Sequence, residues 1–214
     1  MYRDRTEAGQ QLAAALKQFR PDRPLVLGLP RGGVVVAAEV AQRLDGDLDV
    51  LLVKKLRAPD NPELAIGALS EEGDPFLNQE LVALTGSDRR YVDREIAERR
   101  AEIDQQRQQY RAVKPRLPTA GRVVILVDDG LATGATMIAA AQATGLAKPK
   151  KLIIAVPVGA SDAVEYLGRM REVDEVVCLH TPSWFNGVGQ FYEDFSQVSD
   201  DEVVAVLAGN LGGR

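Results

Sequence analysis

Between Val123 and Thr136 the chain reads VVILVDDGLATGAT, and this stretch restricts the possible folds more than any other. Five apolar residues run into Asp128 and Asp129, then into a loop of Gly, Ala and Thr, and then into MIAAAQATGLA, a run of good helix formers. A buried strand that delivers carboxylates at its C-terminal end and turns through small residues into a helix belongs to an open α/β sheet, where ligands bind at the strand ends. Helix N-termini attract phosphate because their first amides lack partners within the helix. The combination suits a sugar phosphate, with acids for its hydroxyls and loop amides and threonine hydroxyls for its phosphate.

The rest of the chain alternates strand and helix. Residues 5–20 read as a helix with Ala8, Leu12, Leu16 and Phe19 on one face, ended by Pro21 to Pro24. Strands are predicted at 25–29, 48–53 and 65–70, with 75–78 pairing beside the last, and a helix from Gly33 to Leu44. Residues 88–112 carry only a thin apolar stripe of Tyr91, Ile96, Ile103 and Tyr110. Their interleaved acids and arginines predict a solvated helix with i,i+4 pairs, not one that grips nucleic acid. A strand at 122–127, a helix at 134–146, a strand at 151–158, a helix at 161–171, a strand at 175–179 and a short helix near 200–208 complete the chain. Short apolar strands separated by helices predict an α/β fold with a parallel sheet covered on both faces.

Length and charge narrow the partners. A chain of 214 residues fits one domain with a small flap. The formal net charge of -5, from 31 acidic and 26 basic residues, predicts no general nucleic-acid binding, while leaving room for a local basic cluster. The one cysteine, Cys178, permits no intrachain disulfide and fits a reducing cytoplasm. Its setting, VVCL, reads as a buried structural thiol. The N-terminus is charged, and no apolar run approaches the ~20 residues that span a bilayer, so a cytoplasmic protein without a membrane partner is expected.

Two constellations carry chemistry. At a turning strand end Asp128 and Asp129 can both reach one ligand, accepting hydrogen bonds from ribose hydroxyls or holding Mg²⁺ through water. The loop Ala132, Thr133, Gly134, Ala135 and Thr136 lacks the GK[ST] ending of a Walker loop. The first strand runs into LGLPRGG, where Pro30, Gly32 and Gly33 permit an unusual backbone and Arg31 offers a fork suited to phosphate.

Together these segments resemble the type I phosphoribosyltransferases, whose donor motif is an apolar strand, two acids and a loop of the form ATGGT or DTGKT. A DRxEAGxxLA start (Asp4 to Ala13), the PRGG loop and NPELAIGA at 61–68 are similar to one bacterial branch of that family. The resemblance implies an open, mainly parallel five-stranded sheet in a single domain over 1–214. Its core would cover about 24–180, with a hood and flap from about 54–80 and 181–199. It implies 5-phosphoribosyl 1-pyrophosphate as donor, Mg²⁺ as cofactor, and transfer to a nitrogen acceptor with release of pyrophosphate.

Asp128 and Asp129 would bind the ribose hydroxyls and, through water, the metal. Residues 132–136 would hold the 5-phosphate. Pro30, Arg31, Gly32 and Gly33 would form the pyrophosphate loop, with a non-proline cis peptide at Pro30–Arg31 or Arg31–Gly32. A mobile loop after the next strand would bring Lys54, Lys55 and Arg57 to the pyrophosphate. Lys54, at the end of that strand, is the preferred contact, and with Arg31 and the two acids it makes up the expected catalytic set. Trp184, Phe185, Phe191 and Tyr192 are candidates for stacking on an acceptor base, while the lone His180 reads as structural. The 6-oxopurine branch carries an acid where this chain has Ala132, so the acceptor stays open between a nucleobase and another amine. A sensor that binds the donor or a nucleotide without catalysis is the alternative, and a hydrolase using the same pocket is a third reading. A homodimer is the base expectation.

Overall fold

The computed structural model describes residues 1–71 and 74–209. The chain runs α1 (Arg5–Ala15), β1 (Leu25–Gly28), α2 (Gly32–Arg43), β2 (Asp47–Val50), β3 (Val53–Ala58), β4 (Asn61–Ser70), β5 (Phe76–Leu77), α3 (Gln79–Leu84), α4 (Arg89–Val113), β6 (Val123–Val127), α5 (Ala135–Leu146), β7 (Lys151–Val158), α6 (Ser161–Gly168), β8 (Glu175–His180) and α7 (Asp200–Leu207). Five strands form one parallel sheet in the order β2-β1-β6-β7-β8. The others form an antiparallel sheet, β3-β4-β5.

The parallel sheet is buried on both faces. Val124, Leu126 and Ile154 pack with Met137 and Ala140 of α5 and with Leu167 of α6. On the other side Val123, Ile125 and Val127 meet Leu12 of α1 and Val36 and Val40 of α2. Double burial explains why these strands are continuous apolar runs and not alternating ones. The strand order reverses between β1 and β6, which opens a crevice at their C-terminal ends.

The expected strand at 48–53 is two strands. Pairing with β1 ends at Val50, and Val53 starts a hairpin partnered with Ser70 of β4. Helix α3 lies outside the expected elements; the Asn78 carboxamide oxygen caps it, accepting from the amides of Glu80 and Leu81 at 3.1 Å each. The first helix is α only to Ala15 and continues as a 3₁₀ turn over Lys17–Asp22.

Helix α4 is the larger departure. It is expected to be solvated, yet it buries Val92, Glu95, Arg99, Ile103 and Tyr110. Its inward charges are paired: Arg99 Nε lies 3.3 Å from Glu95, and Glu95 accepts from the Arg57 amide at 3.1 Å. Near its end Arg111 reaches the buried Asp49 of β2 at 2.6 Å, the Val50 carbonyl at 3.0 Å and the Glu71 carboxylate at 2.9 Å. Burial works against that charge, but Glu71 and Asp49 together raise the Arg111 pKa. Arg111→Ala would leave two carboxylates in the interior without their main partner. The expected loss is about 3–5 kcal/mol of unfolding free energy, measured by urea denaturation. A loss below about 1 kcal/mol would show that α4 is held mainly by its apolar contacts. Among the described residues no helix is long and apolar enough to cross a membrane.

Candidate active site

The crevice at the strand-order reversal holds both acids. Beyond Val127 the chain turns, and the Asp129 amide donates to Asp128 Oδ1 at 2.8 Å. A cleft of about 370 Å³ opens there, lined by Asp128, Asp129, Pro30, Arg31, Gly32, Arg5 and Phe195 among others. Arg5 Nε donates to Asp129 Oδ2 at 2.8 Å, and both side chains are nearly buried. The Tyr192 hydroxyl donates to the Asp129 carbonyl at 2.7 Å. Burial, and then the charge of Asp129, push the Asp128 carboxyl well above the usual carboxylate range.

The loop after β1 faces these acids. Its Pro30–Arg31 peptide is cis, one of the two expected positions. Arg31 borders the cleft, with its guanidinium 4.0 Å from Asp200 of α7. Two glycines follow because side chains would not fit. A Cβ on Gly32 would run into Asp129 Oδ2 and stand 2.7 Å from Arg5 Nε; one on Gly33 would stand 2.8 Å from Asp128 Cα and the Val127 carbonyl.

The loop 132–136 lies beyond Asp129 at the start of α5. Gly134 has φ +73°, a left-handed conformation that favours glycine. Among the described residues the amides of Ala132, Thr133, Gly134 and Thr136 donate to no protein acceptor, while Ala135 N reaches Thr133 Oγ1 at 3.4 Å. Amides without partners at the N-terminus of a twelve-residue helix attract an anion. Thr133 and Ala135 also border a second pocket of about 210 Å³, shared with Gly67, Phe76 and Asn78 of the antiparallel sheet region.

Other expected site residues lie elsewhere. The segment expected as a mobile loop is the β3–β4 hairpin, and Lys54, Lys55 and Arg57 are on β3. Lys54 Nζ lies 3.5 Å from Glu102, and Arg57 Nε 4.0 Å from Glu95, so both engage α4. None of the three lines the cleft beside the acids. Of the four aromatic candidates, Tyr192 is buried, its ring 5.4 Å from that of Tyr2, and its hydroxyl is kept protonated by burial and by Asp129. Phe185 and Phe191 pack on each other and on the same cluster. Trp184 is 82% exposed. The aromatic at the cleft is Phe195, with the Arg5 guanidinium 4.0 Å above its ring. Cys178 is half-buried, donates to the His180 carbonyl, and is pushed up to about 11 by burial, which suits an inert thiol.

Sequence reasoning missed Arg5 and Phe195. Arg5 belongs to the Asp4–Ala13 start that carries part of the resemblance, but its partner is 124 residues away. The N-terminus reaches the site because Tyr2 and Arg3 pair with the tail: Tyr2 N donates to the Phe191 carbonyl, and Glu193 N and Asp194 N return to the carbonyls of Tyr2 and Arg3.

A model of the phosphoribosyl transferase domain matches residues 2–196. A Mycobacterium tuberculosis protein provisionally named a phosphoribosyl transferase is 45% identical over 207 residues, which is 97% of this chain and 46% of its own length. The chain thus spans about half the length of the curated relatives it matches. The crystal structure of TT1426 from Thermus thermophilus matches with a TM-score of 0.89 and 47% identity, covering 99% of both chains. A Neisseria gonorrhoeae protein crystallised with bound ppGpp shares the fold alone, with a TM-score of 0.51 and 12% identity over 98% of each chain.

Proposed function

We infer the activity from one premise: the chain belongs to the phosphoribosyltransferase family. We propose that it takes 5-phosphoribosyl 1-pyrophosphate as donor and transfers the ribosyl phosphate to a nitrogen acceptor. The nitrogen forms a bond to the anomeric carbon, the bond from that carbon to the pyrophosphate oxygen breaks, and pyrophosphate leaves with the electron pair. The nitrogen then loses its proton. The observation that carries this reading is that two carboxylates and a glycine-rich loop with Arg31 line one sheet crevice, and that a helix-opening loop with unpartnered amides follows the acids three residues on.

Asp128 and Asp129 accept hydrogen bonds from the ribose hydroxyls in this reading. The amides of 132–136 take the 5-phosphate. Arg31 and the backbone of Gly32 and Gly33 face the pyrophosphate, where positive charge stabilises the leaving group. Mg²⁺ suits the acids: they are two adjacent carboxylates that line the cleft. That donor set fits a hydrated ion carried mainly by the substrate's phosphates. Such an ion would supply charge neutralisation of the pyrophosphate, held by Asp128 and Asp129 through water. Lys54 and Arg57, now 3.5 and 4.0 Å from acids of α4, would exchange those half-exposed pairs for the pyrophosphate in this reading.

Calorimetric titration of the donor with Mg²⁺, followed by a panel of nucleobases and amines with product analysis, tests the proposal. Micromolar donor binding, and one acceptor that consumes the donor and releases pyrophosphate, are expected. Binding without turnover across the panel would favour a sensor, and no binding would end the reading.

A further inference from the structure

Arg5 is placed with more care than a surface arginine needs. Its Nε holds Asp129 Oδ2 at 2.8 Å, its Nη1 donates to the Ser196 carbonyl at 2.8 Å, and its guanidinium lies 4.0 Å above the Phe195 ring. Two independent anchors from the tail thus fix a guanidinium whose remaining bond is to one carboxylate oxygen. Gly32 gives way to it as well, since a Cβ there would stand 2.7 Å from Nε. Three segments remote in sequence converge on the orientation of a single acid. An ion pair used only for stability would not need the opposite loop to be carved back around it.

We propose that Arg5 is the positioning residue of the donor site: it sets the plane of the Asp129 carboxylate so that the other carboxylate oxygen meets a ribose hydroxyl. The proposal rests on the transferase reading and deepens it. Arg5 acts on the donor through Asp129, and the tail residues Phe195 and Ser196 act through Arg5. One role of the tail at the site is therefore to brace the donor acids.

Such a residue has a signature that neither a structural arginine nor a direct phosphate ligand shares. Binding of three probes should be measured by calorimetry: 5-phosphoribosyl 1-pyrophosphate with Mg²⁺, and ribose 5-phosphate and pyrophosphate without it, so that no ion held by Asp129 links pyrophosphate to the acid. Arg5→Ala is expected to weaken the two ribose-bearing probes by the same factor, about 10- to 100-fold. Pyrophosphate affinity stays within about twofold. Adding Arg5→Ala to Asp129→Asn costs little further, because the acid being positioned is already disabled. Arg5→Lys keeps the charge without the fork and recovers part of the loss, which also serves if the alanine variant folds poorly. Equal weakening of pyrophosphate would mean that Arg5 grips phosphate itself and would overturn the proposal. Losses that simply add in the double variant would overturn it too. Wild-type protein that binds none of the probes would remove the transferase reading, a failure distinct from normal wild-type binding that Arg5→Ala leaves untouched.

Discussion

Replacing Asp128 and Asp129 by Asn together is expected to weaken donor binding by about 10²- to 10⁴-fold, while the two single variants move thermal stability in opposite directions. A hydrogen bond to a charged group contributes about 1.5–3 kcal/mol, and in the proposed complex, where Mg²⁺ beside Asp128 favours its ionised form, the two acids accept one each. At 1.4 kcal/mol per decade the pair accounts for that range. The stability effects follow from their surroundings. Burial and its neighbour raise the Asp128 pKa, so the folded state keeps a proton that the unfolded chain gives up more easily. Where the unfolded state binds fewer protons, stability falls as pH rises. The fall begins at the ordinary carboxylate range and ends at the raised folded value. Asp128→Asn removes this cost and still accepts from the Asp129 amide, so its melting temperature rises above wild type at neutral pH. Asp129→Asn leaves Arg5, 11% exposed, without its carboxylate, so its melting temperature falls. Each kcal/mol moves the transition by about 2–4 °C in a chain of this size. Unchanged donor affinity in the double variant would take the acids out of the site. An Asp128→Asn protein no more stable than wild type at pH 8 would refute the burial argument.

What the chain discloses in advance is local. Val123 to Thr136 contains its own strand, acids, loop and helix start, so one window carries the acids of the candidate site and the fold class with it. The segment 48–53 does not, because LDVLLV is apolar almost throughout. Whether Val53 continues beside β1 or leaves to pair with Ser70 depends on partners, not on periodicity. The departure at helix α4 has a related reason. Its apolar stripe is thin because Glu95 and Arg99 occupy the buried face and neutralise each other there. The acids of the same helix explain why Lys54 and Arg57 lie apart from the cleft. Basic residues after a strand suggest an anion site, but here Glu102 and Glu95, far along the chain, are the anions. Tyr192 reads as a stacking platform, although its hydroxyl is taken by the Asp129 carbonyl. Apart from the Glu95–Arg99 pair, which lies within one helix, these departures concern pairings between distant segments, which composition and spacing do not encode.

Gly32→Ala is expected to disable the donor site more completely than any loss of a side chain outside the acid pair. The added methyl would occupy the space of Asp129 Oδ2 and stand 2.7 Å from Arg5 Nε and 2.8 Å from Asp129 Cγ. Contacts so short do not occur, so something must move. The backbone at Gly32 opens α2 and is bound into the core behind it, where Val34, Val36 and Ala37 are fully buried. The side chains yield instead: Asp129 swings away, and Arg5 loses the acid that holds its Nε. Overpacking of this kind costs about 1–3 kcal/mol of stability, and donor affinity should fall about 100-fold or more, since loop and acid are displaced together. Gly168→Ala is the matched control, because a Cβ there meets nothing within 4 Å and the residue closes helix α6. It should leave donor binding unchanged and stability the same or slightly higher. Calorimetry and thermal unfolding on the two variants separate the outcomes. If Gly32→Ala binds the donor as wild type does, then Asp129 does not need to approach the loop, and the crevice between β1 and β6 is not where the ribose sits. If it loses binding but keeps its melting temperature, the methyl is accommodated by rotating Asp129 alone, and the carboxylate's orientation is what donor recognition depends on.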